Sequence, residues 1–348
     1  MTLTNANPGN AARASLPADR TPADRTPADR TPADRTPADE TANPELADLR
    51  RRLDTVIGIP VVPYDEDGAV DLDLTAALTR RLVQNGVTAL TPNGNTGEFY
   101  ALSPRERRDV LAVVVGAANP ETVIIAGVGF DLDTAISDAR FARDAGAHAV
   151  MVHQPVLPYL SPGGWVDYVA TVARAVPELG VLPYVSSTLI TGADVASLVE
   201  RAPNVIALKY SVPDPAFFAT TRHHAGGDLL WIAGLAESYA PAYWSAGARA
   251  FTSGLVNVSP RVSLDMFDAL ARGDAEAAND VWRDIRLFEE LRARNRSADN
   301  VSVVKEAMHQ LGLCLPSVRP PSRALTAEGA AEVARSIAAW PTLEGVRA

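Results

Sequence analysis

From residue 56 onward, short continuous apolar runs alternate with longer stretches in which apolar residues recur every three or four positions. A continuous apolar run of four to eight residues reads as a strand buried on both faces, and the three-to-four periodicity reads as an amphipathic helix. The runs fall at residues 56–64, 88–92, 123–128, 149–153, 180–184, 205–209, 229–233 and 250–253. Helical patterns follow at 71–84, from 103, at 133–145, 164–176, 192–201 and 215–224, up to 247, and at 259–270. One helix start is written out in full. Ser103-Pro104-Arg105-Glu106 supplies an N-cap serine, a first-turn proline and a capping-box glutamate at the required offsets.

Buried strands that alternate with amphipathic helices predict a parallel sheet covered by helices. Eight such units in about 220 residues predict an α/β fold of the closed (β/α)8, or TIM barrel, type rather than an open doubly wound sheet. No G-x-G-x-x-G follows the first strand, which counts against a dinucleotide fold. After Gly273 the pattern turns wholly helical, with amphipathic stretches at 274–294, 301–311 and 326–339.

The N-terminal residues follow another rule. Residues 16–40 repeat a pentapeptide of the Thr-Pro-Ala-Asp-Arg type. A proline every fifth residue breaks helices, and after Leu16 the repeat has, proline aside, no apolar residue larger than alanine to build a core. The sequence therefore predicts three parts: a disordered tail over 1–45, a barrel over 46–272 and a C-terminal helical domain over 273–348.

Composition narrows the function classes. The 348 residues carry a net charge of −10 and show no basic stripe, which argues against nucleic-acid partners. A single cysteine, Cys314, excludes an intrachain disulfide framework and fits a reducing compartment. With neither a membrane-length apolar run nor an apolar signal core, the expected location is the cytoplasm. His223 and His224 are neighbours on one helix, and His148, His153 and His309 lack evident partners, so neither a metal site nor a cofactor is expected. His153, at the end of the fourth strand, reads more readily as a packed, hydrogen-bonded residue than as a ligand.

The candidate chemistry sits at the C-terminal ends of the strands, where barrel active sites are built. The chain has 32 basic residues but only two lysines, Lys209 and Lys305. Lys209 ends the apolar sixth strand. Lysine can lose its proton when desolvated and arginine cannot, so a lysine kept here suits Schiff-base chemistry on a carbonyl. The plainer alternative is a snorkelling or ion-paired strand-end lysine. Lys305, in a C-terminal helix, suits a solvated or salt-bridged role. The second strand runs into Gly94-Asn95-Thr96-Gly97-Glu98, a tight turn whose backbone N–H groups and threonine hydroxyl could cradle a carboxylate. Asn95, Thr96 and Gly97 are candidate substrate-binding residues, and Glu98 is expected to brace the loop's own backbone. Tyr184 ends the fifth strand, where its hydroxyl could shuttle protons beside Lys209. Ser253, at the end of the eighth strand, is a further substrate-binding candidate.

The glycine-threonine-glycine-glutamate loop, the strand-five tyrosine and the strand-six lysine, in this order and spacing, resemble the dihydrodipicolinate synthase/N-acetylneuraminate lyase family over residues 56–340. The resemblance implies a barrel with a helical extension and a Schiff-base lyase mechanism without a cofactor. It implies that Lys209 forms an imine with an α-keto acid, that Tyr184 relays protons and that Thr96 binds the substrate carboxylate. It also implies a homo-oligomer, a tetramer in the usual family form. Three positions depart from the synthases of lysine biosynthesis. Asn95 stands for the first loop threonine, Leu157 for a second tyrosine (Tyr159 lies two residues on), and Leu189 for a carboxylate-binding arginine. These departures point away from the lysine-pathway reaction. Arg294-Asn295-Arg296, residues 301–305, residues 318–321 and Leu325-Thr326 resemble instead the C-terminal region of the 5-dehydro-4-deoxyglucarate dehydratases. Those enzymes also lack the first loop threonine, although they usually have Asp-Gly where this chain has Tyr210-Ser211. A sugar-acid dehydratase/decarboxylase is therefore the expected activity. The alternatives are a pyruvate-dependent aldolase of the same family and a barrel that binds a keto acid without turnover. A nicotinamide- or flavin-dependent barrel would not call for Lys209.

Overall fold

A computed structural model describes residues 43–156, 159–338 and 340. Eight parallel strands close into a barrel in sequence order: β1 (Val56–Gly58), β2 (Ala89–Leu90), β3 (Val123–Val128), β4 (Ala149–Val152), β5 (Gly180–Val185), β6 (Ala207–Tyr210), β7 (Leu230–Ala233) and β8 (Ala250–Ser253). Closure is made by β1 on β8, with Val56, Ile57 and Gly58 opposite Phe251, Thr252 and Ser253. The helices α2 (Leu72–Gln84), α3 (Pro104–Ala117), α4 (Leu132–Asp144), α5 (Pro162–Ala175), α6 (Gly192–Arg201), α7 (Pro215–Ala225), α8 (Ala236–Ser245) and α9 (Pro260–Ala271) follow the strands one for one. The expected eight units are all present. The capping box of α3 also forms: Glu106 N–H donates to the Ser103 hydroxyl, and the Ser103 N–H donates back to Glu106 at 2.8 Å.

The first strand is shorter than its apolar run. The strand ends at Gly58, with one more bond from the Ile59 N–H to the Ser253 carbonyl, and then meets Pro60 and Pro63, which have no N–H to give a ladder. The tail expected over 1–45 lies outside the described residues except for its last three. Those three begin a helix that the sequence pattern did not announce, α1 (Pro44–Arg52), capped by the Asn43 side chain on the Glu45 N–H at 3.0 Å.

Strand parity divides the core in two. Ile57, Ala89, Ile125, Met151, Leu182, Ala207, Ile232 and Ala250 point into the barrel. Their neighbours, such as Val56, Leu90, Ile124, Val150, Leu208 and Phe251, pack outward against the helices. Leu46, Leu49 and Leu53 of α1 and its end join the inner set, so α1 plugs the N-terminal end of the barrel. The plug sits tightly on Gly180, where a Cβ would lie 2.6 Å from Ile206 and 2.9 Å from Leu49. With one end sealed, the barrel opens at the C-terminal ends of its strands.

Beyond β8 the chain forms α10 (Ala275–Ser297), α11 (Asn300–Gln310) and α12 (Ala327–Ala338). The first of these, α10, is broken near its end. Arg294 is extended, and Asn295, Arg296 and Ser297 all have positive φ, a left-handed turn that costs non-glycine residues energy. No helix among the described residues is long and apolar enough to cross a membrane.

The plug is testable. Leu49 is 6% exposed, and a buried Leu→Ala change costs about 2–5 kcal/mol. Leu49→Ala should lower the unfolding free energy by that order, read as a fall in denaturant midpoint. An unchanged midpoint would show that α1 does not support the barrel.

Candidate active site

Lys209 and Tyr184 face each other across the β5–β6 pair, where they are direct register partners. Parity turns both inward, above the apolar layers of the barrel. Lys209 is 3% exposed and its Nζ lies 4.5 Å from the centre of the Tyr184 ring. Burial penalises the ammonium form and pushes the Lys209 pKa down to about 8. Among the described residues no carboxylate pairs with it. Burial raises the Tyr184 phenol above its ordinary value.

Both residues line a cavity of about 210 Å³, together with Asn95 and Thr96 of the β2 loop, Thr252 and Gly254 of the β8 end, and Gly234 after β7. Thr96 lies in a short 3-10 turn, Asn95–Gly97. The outer wall comes from beyond the barrel proper, from Ser238 and Tyr239 of α8 and from Glu289, Arg292 and Ser297 of α10 with Asn300 of α11.

The structure brings Lys209, Tyr184, Thr96 and Asn95 to one cavity, but not the other two candidates. Gly97 does not line it: its N–H donates to the Gly94 carbonyl at 3.0 Å, and a Cβ there would meet the Pro60 carbonyl at 2.9 Å. Gly97 is therefore a close-packing residue. Ser253 is a correction forced by parity. Thr252 points into the barrel, so Ser253 points out, where its hydroxyl lies 3.1 Å from that of Ser263 and accepts from the Val256 N–H. Ser263 in turn donates to Glu237 at 2.5 Å. Glu237 is fully buried, and burial, reinforced by the charge of Glu289, pushes its carboxyl up to about 7. Once Ala250 is known to face inward, counting by twos along β8 selects Thr252.

Glu98 also behaves otherwise than expected. It takes a left-handed conformation with φ 56° and turns away from its own loop toward the C-terminal extension. Its Oε2 accepts from Lys305 Nζ at 2.5 Å and its Oε1 from the Arg319 N–H at 2.8 Å. Lys305 donates a second bond to the Ser317 carbonyl at 2.9 Å and sits over the Tyr64 ring at 4.0 Å. Lys305 has no exposed surface, so of its two expected roles it has the salt-bridged one. Arg319 closes the clasp with two bonds to Glu106, at 3.0 and 2.8 Å, which hold that carboxyl down at about 2.

His153 is packed and hydrogen-bonded. Its Nε2 lies 2.9 Å from the Asn93 carbonyl, its ring stacks on Phe99 at 4.1 Å, and burial lowers its pKa to about 3. No group of metal-ligating side chains occurs among the described residues. Leu157 lies outside them. Tyr159 and Leu189 are exposed.

The clasp predicts a specific stability pattern. Removing one partner of a buried ion pair costs about 3–5 kcal/mol, because the other charge is stranded. Lys305→Met should lose stability of that order in denaturant unfolding. The double variant Glu98→Gln/Lys305→Met should recover part of the loss. A single variant with unchanged stability would mean the pair does not hold the extension to the loop.

Comparison with known proteins agrees with this architecture. The profile of the Dihydrodipicolinate synthetase family matches residues 52–340. A probable 5-dehydro-4-deoxyglucarate dehydratase of Leptothrix cholodnii is 31% identical over 287 residues, covering 81% of this chain and 94% of that protein. The 5-dehydro-4-deoxyglucarate dehydratase of Pseudomonas putida is 31% identical over 270 residues, covering 76% and 88%. Among solved structures, dihydrodipicolinate synthase from Oceanobacillus iheyensis superposes with a TM-score of 0.82 at 34% identity, covering 85% of this chain and 99% of that one. With a profile match over most of its length, relatives above 30% identity and a closed barrel whose sixth strand carries a buried lysine, this chain belongs to the dihydrodipicolinate synthetase family.

Proposed function

We propose that this protein is a Schiff-base-forming hydro-lyase that dehydrates and decarboxylates 5-dehydro-4-deoxyglucarate. The observation that carries the reading is Lys209, a buried amine without a carboxylate partner among the described residues, whose pKa is lowered to about 8, on the wall of a cavity it shares with Tyr184 and Thr96. The names of the relatives at 31% identity support the substrate.

The chemistry follows from the substrate's own structure. Its ketone at C5 carries a carboxylate at C6, and a hydroxyl at C3 lies beta to that ketone. Neutral Lys209 adds to C5, and water leaves to give the imine. Tyr184 carries the protons to and from the departing oxygen. Protonated, the imine acidifies the C4–H bond, because the electron pair can rest in an enamine instead of on a bare carbanion. Removal of that proton and loss of the C3 hydroxyl as water leave a double bond between C3 and C4, conjugated with the iminium. The C1 carboxylate then departs as CO2, and its bonding pair flows through this system to the nitrogen. Protonation and hydrolysis return a keto acid with an aldehyde at its far end, and free Lys209. Thr96 holds the C6 carboxylate, which survives the reaction. The same reading takes the working form as a cytoplasmic homotetramer, by resemblance to the family; a monomeric mass in light scattering would count against it.

Borohydride treatment in the presence of pyruvate should reduce the imine and fix added mass on Lys209. Lys305 should stay unlabelled, since its amine has no exposed surface and is tied to Glu98 and the Ser317 carbonyl. Label on Lys305 alone, or full activity in Lys209→Arg, would overturn the mechanism. Trapping at subsaturating pyruvate should rise with pH and level off above about 8, as the Lys209 ammonium gives way to the amine. A rate that is flat between pH 6 and 9 would contradict a desolvated nucleophile. Tyr184→Phe removes only a hydroxyl, so it should keep the fold and lower kcat by ~10²–10⁴-fold. Wild-type turnover in that variant would reduce Tyr184 to a packing residue.

A further inference from the structure

Among the described residues the cavity has one cationic group besides Lys209, and it comes from the C-terminal extension. Arg292 of α10 is 6% exposed. Its Nε donates to Asn300 Oδ1 at 2.9 Å and its Nη1 to Glu289 Oε1 at 2.5 Å. No described group accepts a hydrogen bond from Nη2. That atom lies 2.8 Å from the point where a Cβ on Gly254 would stand, and Thr96 Oγ1 lies 2.9 Å from the same point. Two donors, one a guanidinium nitrogen and one a hydroxyl, therefore stand less than about 6 Å apart across a bare α-carbon. The two oxygens of one carboxylate can bridge such a gap with charge-assisted bonds of about 2.8 Å.

We propose that Arg292 is a substrate-binding residue, and that its Nη2 and the Thr96 hydroxyl hold a single carboxylate over Gly254. The occupant is the carboxylate next to the reacting ketone. That group keeps its charge throughout the reaction, whereas the carboxylate lost as CO2 would be held back by a guanidinium. Nε and Nη1 are committed to Asn300 and Glu289, which fix the plane of the fork and aim the remaining nitrogen. Glycine at 254 keeps the space open. The site makes the C-terminal extension a part of substrate recognition rather than only a support.

This inference deepens the proposed Schiff-base reading, and three probes separate the two. Pyruvate carries ketone and carboxylate, hydroxyacetone a ketone without carboxylate, and glucarate carboxylates without a ketone. Two variants are needed, because Arg292→Gln could fail to fold with Glu289 left unpaired. The second, Gly254→Ala, leaves every charge in place and puts a methyl between the donors at a backbone φ of −91° that alanine tolerates. In both variants the pyruvate concentration for half-maximal borohydride trapping on Lys209 should rise about 10- to 100-fold, and the calorimetric Kd for glucarate should weaken similarly. Half-maximal trapping of hydroxyacetone should not move. Unchanged pyruvate and glucarate values in the variants that fold, or an equal loss with hydroxyacetone, would overturn the carboxylate site. If wild-type protein traps no imine with any ketone, the Schiff-base reading fails, and the glucarate titration alone decides for or against Arg292.

Discussion

Desolvation of one amine is the constraint to which the rest of this fold answers. An ammonium ion in water is far too stable to attack a carbonyl near neutral pH, and only an environment that penalises the charge releases the lone pair. Lys209 gains that environment from several directions. Apolar layers fill the barrel below it, the Tyr184 ring lies 4.5 Å from its Nζ, and the C-terminal helices wall the mouth above. None of these alone excludes water. At the far end, Leu46, Leu49 and Leu53 of α1 and its end extend the same apolar packing.

The two lysines of the chain separate burial from charge. Both are almost wholly inaccessible to solvent, at 3% and 0% exposure. Lys209 has no described carboxylate partner, and its pKa falls to about 8. Burial lowers the pKa of Lys305 as well, but there it is opposed by Glu98, which favours the charged form. One is thereby suited to be a nucleophile and the other to be a tether. The difference lies in a carboxylate more than 200 residues away in sequence.

That tether has functional weight because of what it joins. Glu98 closes the loop that carries Asn95 and Thr96, and Lys305 and Arg319 belong to the segment that follows the broken end of α10. The left-handed turn at Asn295, Arg296 and Ser297 carries a conformational cost, and it brings Ser297 and Asn300 to the cavity. A site assembled from the β2 loop, the strand ends and α10 is only as well ordered as the clasp between them.

How much of this was legible in the sequence divides along physical lines. Local periodicity determined the eight strand–helix units, because a strand buried on both faces and a helix buried on one leave different spacings of apolar residues. The end of β6 marked Lys209, since arginine takes nearly every other basic position. Motif spacing then brought Tyr184 and Thr96 to the same mouth. Where the prediction failed, direction or distance was at stake. Ser253 and Thr252 are adjacent in sequence, and only the register of the closed barrel decides which of them faces inward. Glu98 was read as a local brace because its partners, Lys305 and Arg319, are reached only by docking of the extension. Arg292 gave no signal at all. An arginine on an amphipathic helix looks solvated until the helix is laid against the barrel, and where it is laid depends on contacts summed over the whole fold. Sequence by itself determined the eight strand–helix units and singled out Lys209 as the candidate amine. Tertiary structure decided which neighbours surround that amine, because side-chain direction and long-range docking leave no local pattern.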